Sequence, residues 1–205
     1  MSENKKVLLK EYFSLCPDGI CNITLLTEQE KMMRQNGDML LTGVIQVADQ
    51  KNGNGRIYSK KVLERELENY QKVIRERRAT GCLDHTDSSV IELQNASHLM
   101  LRAWFEGDNM MGVLKVLNTP CGKTLRSLVD DGVQVGISSR ALGSLSEGPR
   151  GAIVNDDLTI ICWDIVSDSS VSSAYLHLME NQNYRIEITK ADRIYRALNE
   201  VLRKK

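Results

Sequence analysis

Residues 98–117 read HLMLRAWFEGDNMMGVLKVL. Leu99, Leu101, Ala103 and Phe105 alternate with more polar neighbours, the period of two expected where one face of a strand is buried. A second strand-like run, Met110 to Leu117, follows after only Gly107-Asp108-Asn109. That connection has room for a turn and none for a helix. Two consecutive strands without a helix between them break the regular alternation of a doubly wound parallel sheet.

The flanking sequence extends the pattern. Met39 to Ala48 (MLLTGVIQVA) is a short, continuous apolar run that predicts a largely buried strand. Val133, Val135 and Ile137 alternate within Gly132 to Arg140, and Leu158 to Val166 (LTIICWDIV) is apolar on both faces. Between these runs lie helical signals. Ser59 caps a helix predicted to reach about Arg78, with Leu63, Leu67, Tyr70 and Ile74 on one face and Gly81 as its terminator. Thr119-Pro120 opens a short helix carrying Leu125, Leu128 and Val129. Ile194, Leu198 and Val201 predict a C-terminal helix over about 191–203. The N-terminal part offers only Val7-Leu8-Leu9 before polar sequence to about Asp38. The expectation is one α+β domain spanning 1–205, a curved or closed sheet with packed helices.

Bulk composition narrows the function classes. The 205 residues carry 27 Lys+Arg against 27 Asp+Glu, so no net field draws the chain to nucleic acid or to an anionic membrane. Aromatics are 5% of residues, too sparse to suggest a base-stacking platform. No apolar run nears the ~20 residues that span a bilayer, and the opening MSENKKVLLKEYF has no signal-peptide core. Five scattered cysteines predict free thiols in a reducing cytoplasm.

Few residues are equipped for chemistry. There are three histidines, and His85 follows Gly81-Cys82-Leu83-Asp84 in a loop or strand start, where reactive side chains are often placed. Cys82-x-x-His85 is half of a zinc ligand set, short of the four a structural site needs, so no metal is expected. A metal-binding reading would have to recruit Cys162. In Gly136-Ile137-Ser138-Ser139-Arg140, strand alternation turns Ser138 away from Ile137 and toward the side of Gln134 and Arg140. A serine beside an arginine reads either as a nucleophile with an anion-stabilising neighbour or as a strand dissolving into a polar turn. Asp164 interrupts an apolar strand, where an ionised carboxylate requires a histidine or arginine partner. That partner would make it the orienter of a catalytic histidine or half of a structural ion pair. Lys51-Asn52-Gly53-Asn54-Gly55-Arg56 lacks phosphate-loop spacing and reads as a turn.

Taken in order, Asn52-x-Asn54-x-Arg56-x-Tyr58, Gly81-x-Leu83-x-His85, Trp104-x-x-Gly107 with Gly112 and Val116, Gly136-Ile137-Ser138-Ser139-Arg140 with Leu142-Gly143-Ser144, Val154-Asn155 and Asp164-x-Val166 form a set. From about residue 40 to 175 this set resembles the prohead core proteases of tailed bacteriophages related to the large contractile-tailed coliphages. The chain departs from that pattern at Ala141, where glycine is expected, and near Ser169, where proline is expected. The resemblance implies a serine endopeptidase similar in fold to the herpesvirus assembly proteases, a β-barrel surrounded by helices. It implies His85 as general base and Ser138 as nucleophile, chosen from the Gly-Ile-Ser order and the alternation, with Ser139 as fallback. Asp164 is the expected third member, and backbone N–H groups around Ser139 and Arg140 are the expected oxyanion donors. No cofactor is implied. The implied substrates are scaffold (prohead core) proteins and the major capsid protein, cut inside the prohead in the host cytoplasm after glutamate in Leu/Ile-x-Glu contexts. Leu26-Thr27-Glu28, Leu178-Met179-Glu180 and Leu198-Asn199-Glu200 carry that pattern, and self-cleavage is expected at Glu180 or Glu200. A homo-oligomer accords with this role. The competing reading is a non-catalytic assembly protein of the same fold.

Overall fold

Capping chemistry marks where the helices start. The computed structural model describes residues 7–13, 27–167 and 175–178. In chain order it contains β1 (Val7–Phe13), α1 (Glu28–Gln35), β2 (Leu40–Val47), β3 (Arg56–Ile57), α2 (Lys60–Arg75) and β4 (Thr80–Cys82). After a 3₁₀ turn at Leu93–Asn95 come β5 (Ala96–Glu106), β6 (Asn109–Val116), α3 (Pro120–Asp130) and β7 (Val135–Gly143). The chain continues through β8 (Leu145–Gly148), β9 (Gly151–Val154), β10 (Thr159–Val166) and β11 (Tyr175–Leu178). Ser59 Oγ accepts from Val62 N at the head of α2, and Thr119 Oγ1 accepts from Gly122 N at the head of α3, whose first turn holds Pro120.

The expected strands and these two helices are present, with several differences. α1 was not anticipated; Thr27 and Glu30 close a reciprocal capping box at its start. The Leu145–Gly148 and Gly151–Val154 hairpin was also missed, its strands being only four residues each. α2 stops at Arg75, and the reversal uses Arg77 in the left-handed region (φ 55) rather than Gly81. Val133, expected in the core, is 46% exposed because β7 begins two residues later. The anticipated C-terminal helix lies outside the described residues. The Lys51–Arg56 segment is a turn: Asn52 Oδ1 accepts from the N–H groups of Asn54 and Arg56, and Gly55 takes φ 79.

The main sheet has eight strands, in the order β1-β7-β11-β2-β6-β5-β4, with β10 also pairing β7. β1 covers Ile137 to Gly143 and β11 covers Val135 and Gly136, so these two follow one another along one edge of β7 while β10 takes the other. Every pair in this sheet is antiparallel. The sheet curves until Leu83, just beyond β4, meets Ile165 of β10 through one isolated bridge. A single bridge is not a ladder, so the expected barrel is an open, curved sheet. A second sheet, β3-β9-β8, lies apart from it. Among the described residues no helix is long and apolar enough to cross a membrane.

α2 packs on the curve through Val62, Leu63, Leu67, Tyr70 and Ile74. Each aliphatic side chain buried there contributes about 1.5–3 kcal/mol. Tyr70 meets Trp163 edge to face, with ring centroids 4.9 Å apart, and Trp163 donates its indole N–H to Ile45 O at 2.9 Å. The buried Glu66 carboxylate on the same face accepts from Ile160 N at 2.9 Å, tying helix to strand. These contacts tie β10 to the helix and to β2.

Gly81 does work in β4 rather than at a helix end. A Cβ there would overlap Trp163 O and the His98 imidazole. Gly81→Ala is expected to lower stability by about 2–3 kcal/mol, since β4 and β10 must separate to admit a methyl group. Urea unfolding checks this, and a wild-type midpoint would show that the two strands are not held so closely.

Candidate active site

Strand register brings two residues of the site together. Ser138 on β7 lies directly opposite Asp164 on β10, and Arg140 lies opposite Cys162. Cross-strand partners share a face with Cβ atoms about 5 Å apart. The site face of this ladder therefore carries Ser138, Arg140, Cys162 and Asp164. The third element arrives from β4. Leu83 bridges Ile165, Asp84 adopts φ 63 and donates its N–H to Ile165 O at 2.7 Å, and the chain turns so that His85 lies over the strand pair. Aspartate tolerates that left-handed backbone better than most residues.

His85 connects the other two. Its Nε2 is 2.5 Å from Ser138 Oγ and its Nδ1 is 2.8 Å from Asp164 Oδ2. An ionised carboxylate only accepts, so Nδ1 carries the ring proton and Nε2 is left to accept from the serine hydroxyl. The other carboxylate oxygen, Oδ1, accepts from Cys82 N at 2.9 Å and from Arg140 Nη2 at 3.2 Å. Ser138 and Asp164 are fully buried and the His85 side chain is 8% exposed. Burial pushes the Asp164 carboxyl up, but the His85 and Cys82 hydrogen bonds and the Arg140 charge outweigh it and hold the group below its ordinary value. Asp164 thus has both a histidine and an arginine partner, where its place in an apolar strand required only one.

The neighbouring residues divide sharply. Ser138 shares the face of Arg140 as the alternation indicated, yet that face is interior and not solvent. Ser139 points to the opposite face, with Ile137 and Ala141 of the core, and is not brought to His85. The backbone at Ser139 and Arg140 is paired on both edges of β7, against Glu11 and Trp163 and against Lys10 and Cys162. Both residues therefore lie inside the sheet, with a strand on either side. The Arg140 side chain is fully buried. Cys82 and Cys162 both face its Nη2, at 3.7 and 3.1 Å, so a metal ion at those thiols would have to displace a cation. Burial, then the Asp164 charge, pushes both thiols up and keeps them protonated. Among the described residues no cluster of three His, Cys, Asp or Glu could hold a metal. Thr86 and Ser88, which bind Arg140, were not singled out from sequence; the only signal was their place just after His85. Glu180 and Glu200 lie outside the described residues.

His98 is a fully buried imidazole, and it belongs to the scaffold. Its Nε2 donates to Trp163 O at 3.0 Å and its Nδ1 accepts from Ser97 Oγ at 2.9 Å. Burial pushes the ring down from 6.5 to about 4. Between those values the unfolded chain binds a proton that the folded chain refuses, so stability is complete above about pH 6.5 and falls as the pH drops toward 4. The loss reaches about 3 kcal/mol at the lower end. Urea midpoints at pH 7 and 4.5 should differ more in wild type than in His98→Gln; equal differences would assign the acid sensitivity to other groups.

The curved antiparallel sheet thus carries a hydroxyl, an imidazole and a carboxylate in one hydrogen-bonded relay. Comparison with known proteins gives the family. The chain belongs to the family described as prohead core protein serine protease, whose model matches residues 17–184. It is 28% identical over 174 residues to the prohead core protein protease of Enterobacteria phage T4, covering 81% of this chain and 82% of that protein. Its fold matches the solved structure of the bacteriophage T4 capsid assembly protease, gp21, with a TM-score of 0.67 at 24% identity, over 80% of this chain and 99% of that one. The chain is a protease of phage prohead assembly.

Proposed function

We propose that the chain is a serine endopeptidase in which Ser138 is the nucleophile, His85 the general base and acid, and Asp164 the group that orients His85. The carrying observation is the unbroken relay, 2.5 Å from Ser138 Oγ to His85 Nε2 and 2.8 Å from His85 Nδ1 to Asp164 Oδ2. The Ser138 proton passes to Nε2 as Oγ bonds to the scissile carbonyl carbon. His85 then gives that proton to the amine nitrogen as the C–N bond breaks, leaving an ester on Ser138. Water, deprotonated by His85, hydrolyses the ester and restores the serine. Asp164 holds the useful tautomer and stabilises the imidazolium without itself taking the proton. A non-catalytic assembly role would leave a hydrogen-bonded relay of this order without a purpose.

The substrates we infer are the prohead core scaffold proteins and the major capsid protein, cut inside the prohead in the host cytoplasm, after glutamate in Leu/Ile-x-Glu. Self-cleavage follows Glu180 or Glu200. Family membership supports this reading. The near meeting of β4 and β10 supports a fold of the herpesvirus assembly protease kind. The test is incubation of the purified chain with the prohead core protein of its own phage and mass spectrometry of the products. Fragments ending in glutamate are expected from both proteins. Other termini would overturn the specificity, a persistently intact 23.1 kDa chain the self-cleavage, and no cleavage at all the catalytic reading.

A further inference from the structure

Arg140 is fully buried, two residues beyond Ser138 on the same face of β7, and its guanidinium has two arms. One arm meets Asp164: Nη2 donates to Oδ1 at 3.2 Å, and Nε lies 3.0 Å from Oδ2 as an ion contact. The other arm, Nη1, donates to Thr86 Oγ1 at 2.5 Å and to Ser88 O at 2.7 Å. Thr86 directly follows His85, so this arm holds the loop that carries the base. We propose that Arg140 is a positioning residue for the relay, a rigid clamp that fixes the Asp164 carboxylate and the His85 loop in one registry beneath Ser138.

This inference rests on the catalytic reading above and adds a role that charge alone does not explain. Balancing the buried Asp164 charge needs only a cation, and a lysine ammonium supplies one. Holding a carboxylate edge and a loop carbonyl at once needs the planar fork of a guanidinium, whose donors diverge at fixed angles. The loop is already anchored at its start by Asp84 N to Ile165 O. Arg140 adds an anchor on the far side of His85, so the imidazole is held from both directions. Displacing a catalytic group by about 1 Å costs on the order of 100-fold in rate, which is the scale the clamp guards.

The decisive comparison is Arg140→Lys, which keeps the charge and removes the fork, beside Thr86→Val, which removes the loop contact and leaves the Asp164 contact. Turnover of a Leu-x-Glu peptide is measured together with the low-field proton resonance of the His85 Nδ1–H···Asp164 bond. Both variants are expected to fold. Arg140→Lys should lose roughly 100-fold in kcat with KM within about threefold, and Thr86→Val roughly tenfold. The resonance should shift or broaden in both and stay in place in Ser138→Ala. Free guanidinium should restore part of the activity of Arg140→Ala. Wild-type kcat and an unmoved resonance in Arg140→Lys would overturn the clamp and leave Arg140 as charge balance. A loss confined to KM would overturn it also. If Ser138→Ala cleaves as well as wild type, the catalytic reading fails separately, while the resonance still reports whether Arg140 positions the His85–Asp164 pair.

Discussion

Ser138→Ala is expected to leave the chain folded and to abolish cleavage, lowering kcat by roughly 10⁴- to 10⁶-fold. The structural cost is small, because His85 keeps its 2.8 Å bond to Asp164 and the lost hydroxyl donates to a ring that remains anchored. The catalytic cost is large, because no other hydroxyl among the serine pair reaches the imidazole. Ser139→Ala should therefore stay within about threefold of wild type, its side chain lying on the core face with Ile137 and Ala141. His85→Ala should fall as far as Ser138→Ala, and the double variant no further, since residues that act as one relay do not contribute additively. Peptide turnover and labelling of Ser138 by a fluorophosphonate measure this directly. Cleavage within tenfold of wild type in Ser138→Ala would remove the nucleophile from the scheme.

Asp164→Asn is expected to fail in two ways at once. An amide at this position donates to His85 Nδ1, which moves the ring proton to Nε2 and leaves nothing to accept from Ser138; the loss in kcat should be roughly 10⁴-fold. The same change leaves Arg140 a buried cation without its counter-charge, and removing one partner of a buried pair costs about 3–5 kcal/mol. Both parts are measurable, by turnover and by urea unfolding at pH 7. The pH dependence gives a further check. The Asp164 carboxyl sits below its ordinary value of 3.8 in the folded chain, so its contribution is complete above that pH and is lost as the pH falls through the lower folded value. The stability gap between wild type and Asp164→Asn should thus be full at pH 5 and close only in strong acid. A variant as stable as wild type at pH 7 would show that Arg140 does not depend on this carboxylate.

The elements most legible in the sequence were those with long, regular patterns. The continuous apolar run of β10 and the Leu63, Leu67, Tyr70, Ile74 stripe of α2 each repeat a local signal over two or more turns or pleats. In β5 the strand was legible but its alternation was not kept: a register shift between Met100 and Arg102 sends Met100 into the core with Ala103 and Phe105 and packs Leu101 with Trp104 instead. Short elements carried too little of it. α1 has eight residues with only Met32 and Met33 as apolar members, and its clearest mark, the Thr27 and Glu30 capping box, is a two-residue signal. β8 and β9 are four residues each and gain their existence from pairing with one another and with β3. Gly81 was misassigned because a glycine after a helix is most often its terminator, whereas here it leaves room for the Trp163 carbonyl and the His98 ring.

From the sequence alone came the α+β class, the reactive residue types and the demand that Asp164 find a partner, because alternation, caps and the cost of a buried charge are written in a few neighbouring residues. Which serine meets the histidine, and that Asp164 takes histidine and arginine together, was decided only by tertiary structure. His85 reaches Ser138 across 53 positions and Asp164 across 79, and that meeting depends on the register of β7 against β10 and on where β4 ends. Register is fixed by packing over the whole curved sheet, and a slip of one residue would have presented Ser139 in place of Ser138.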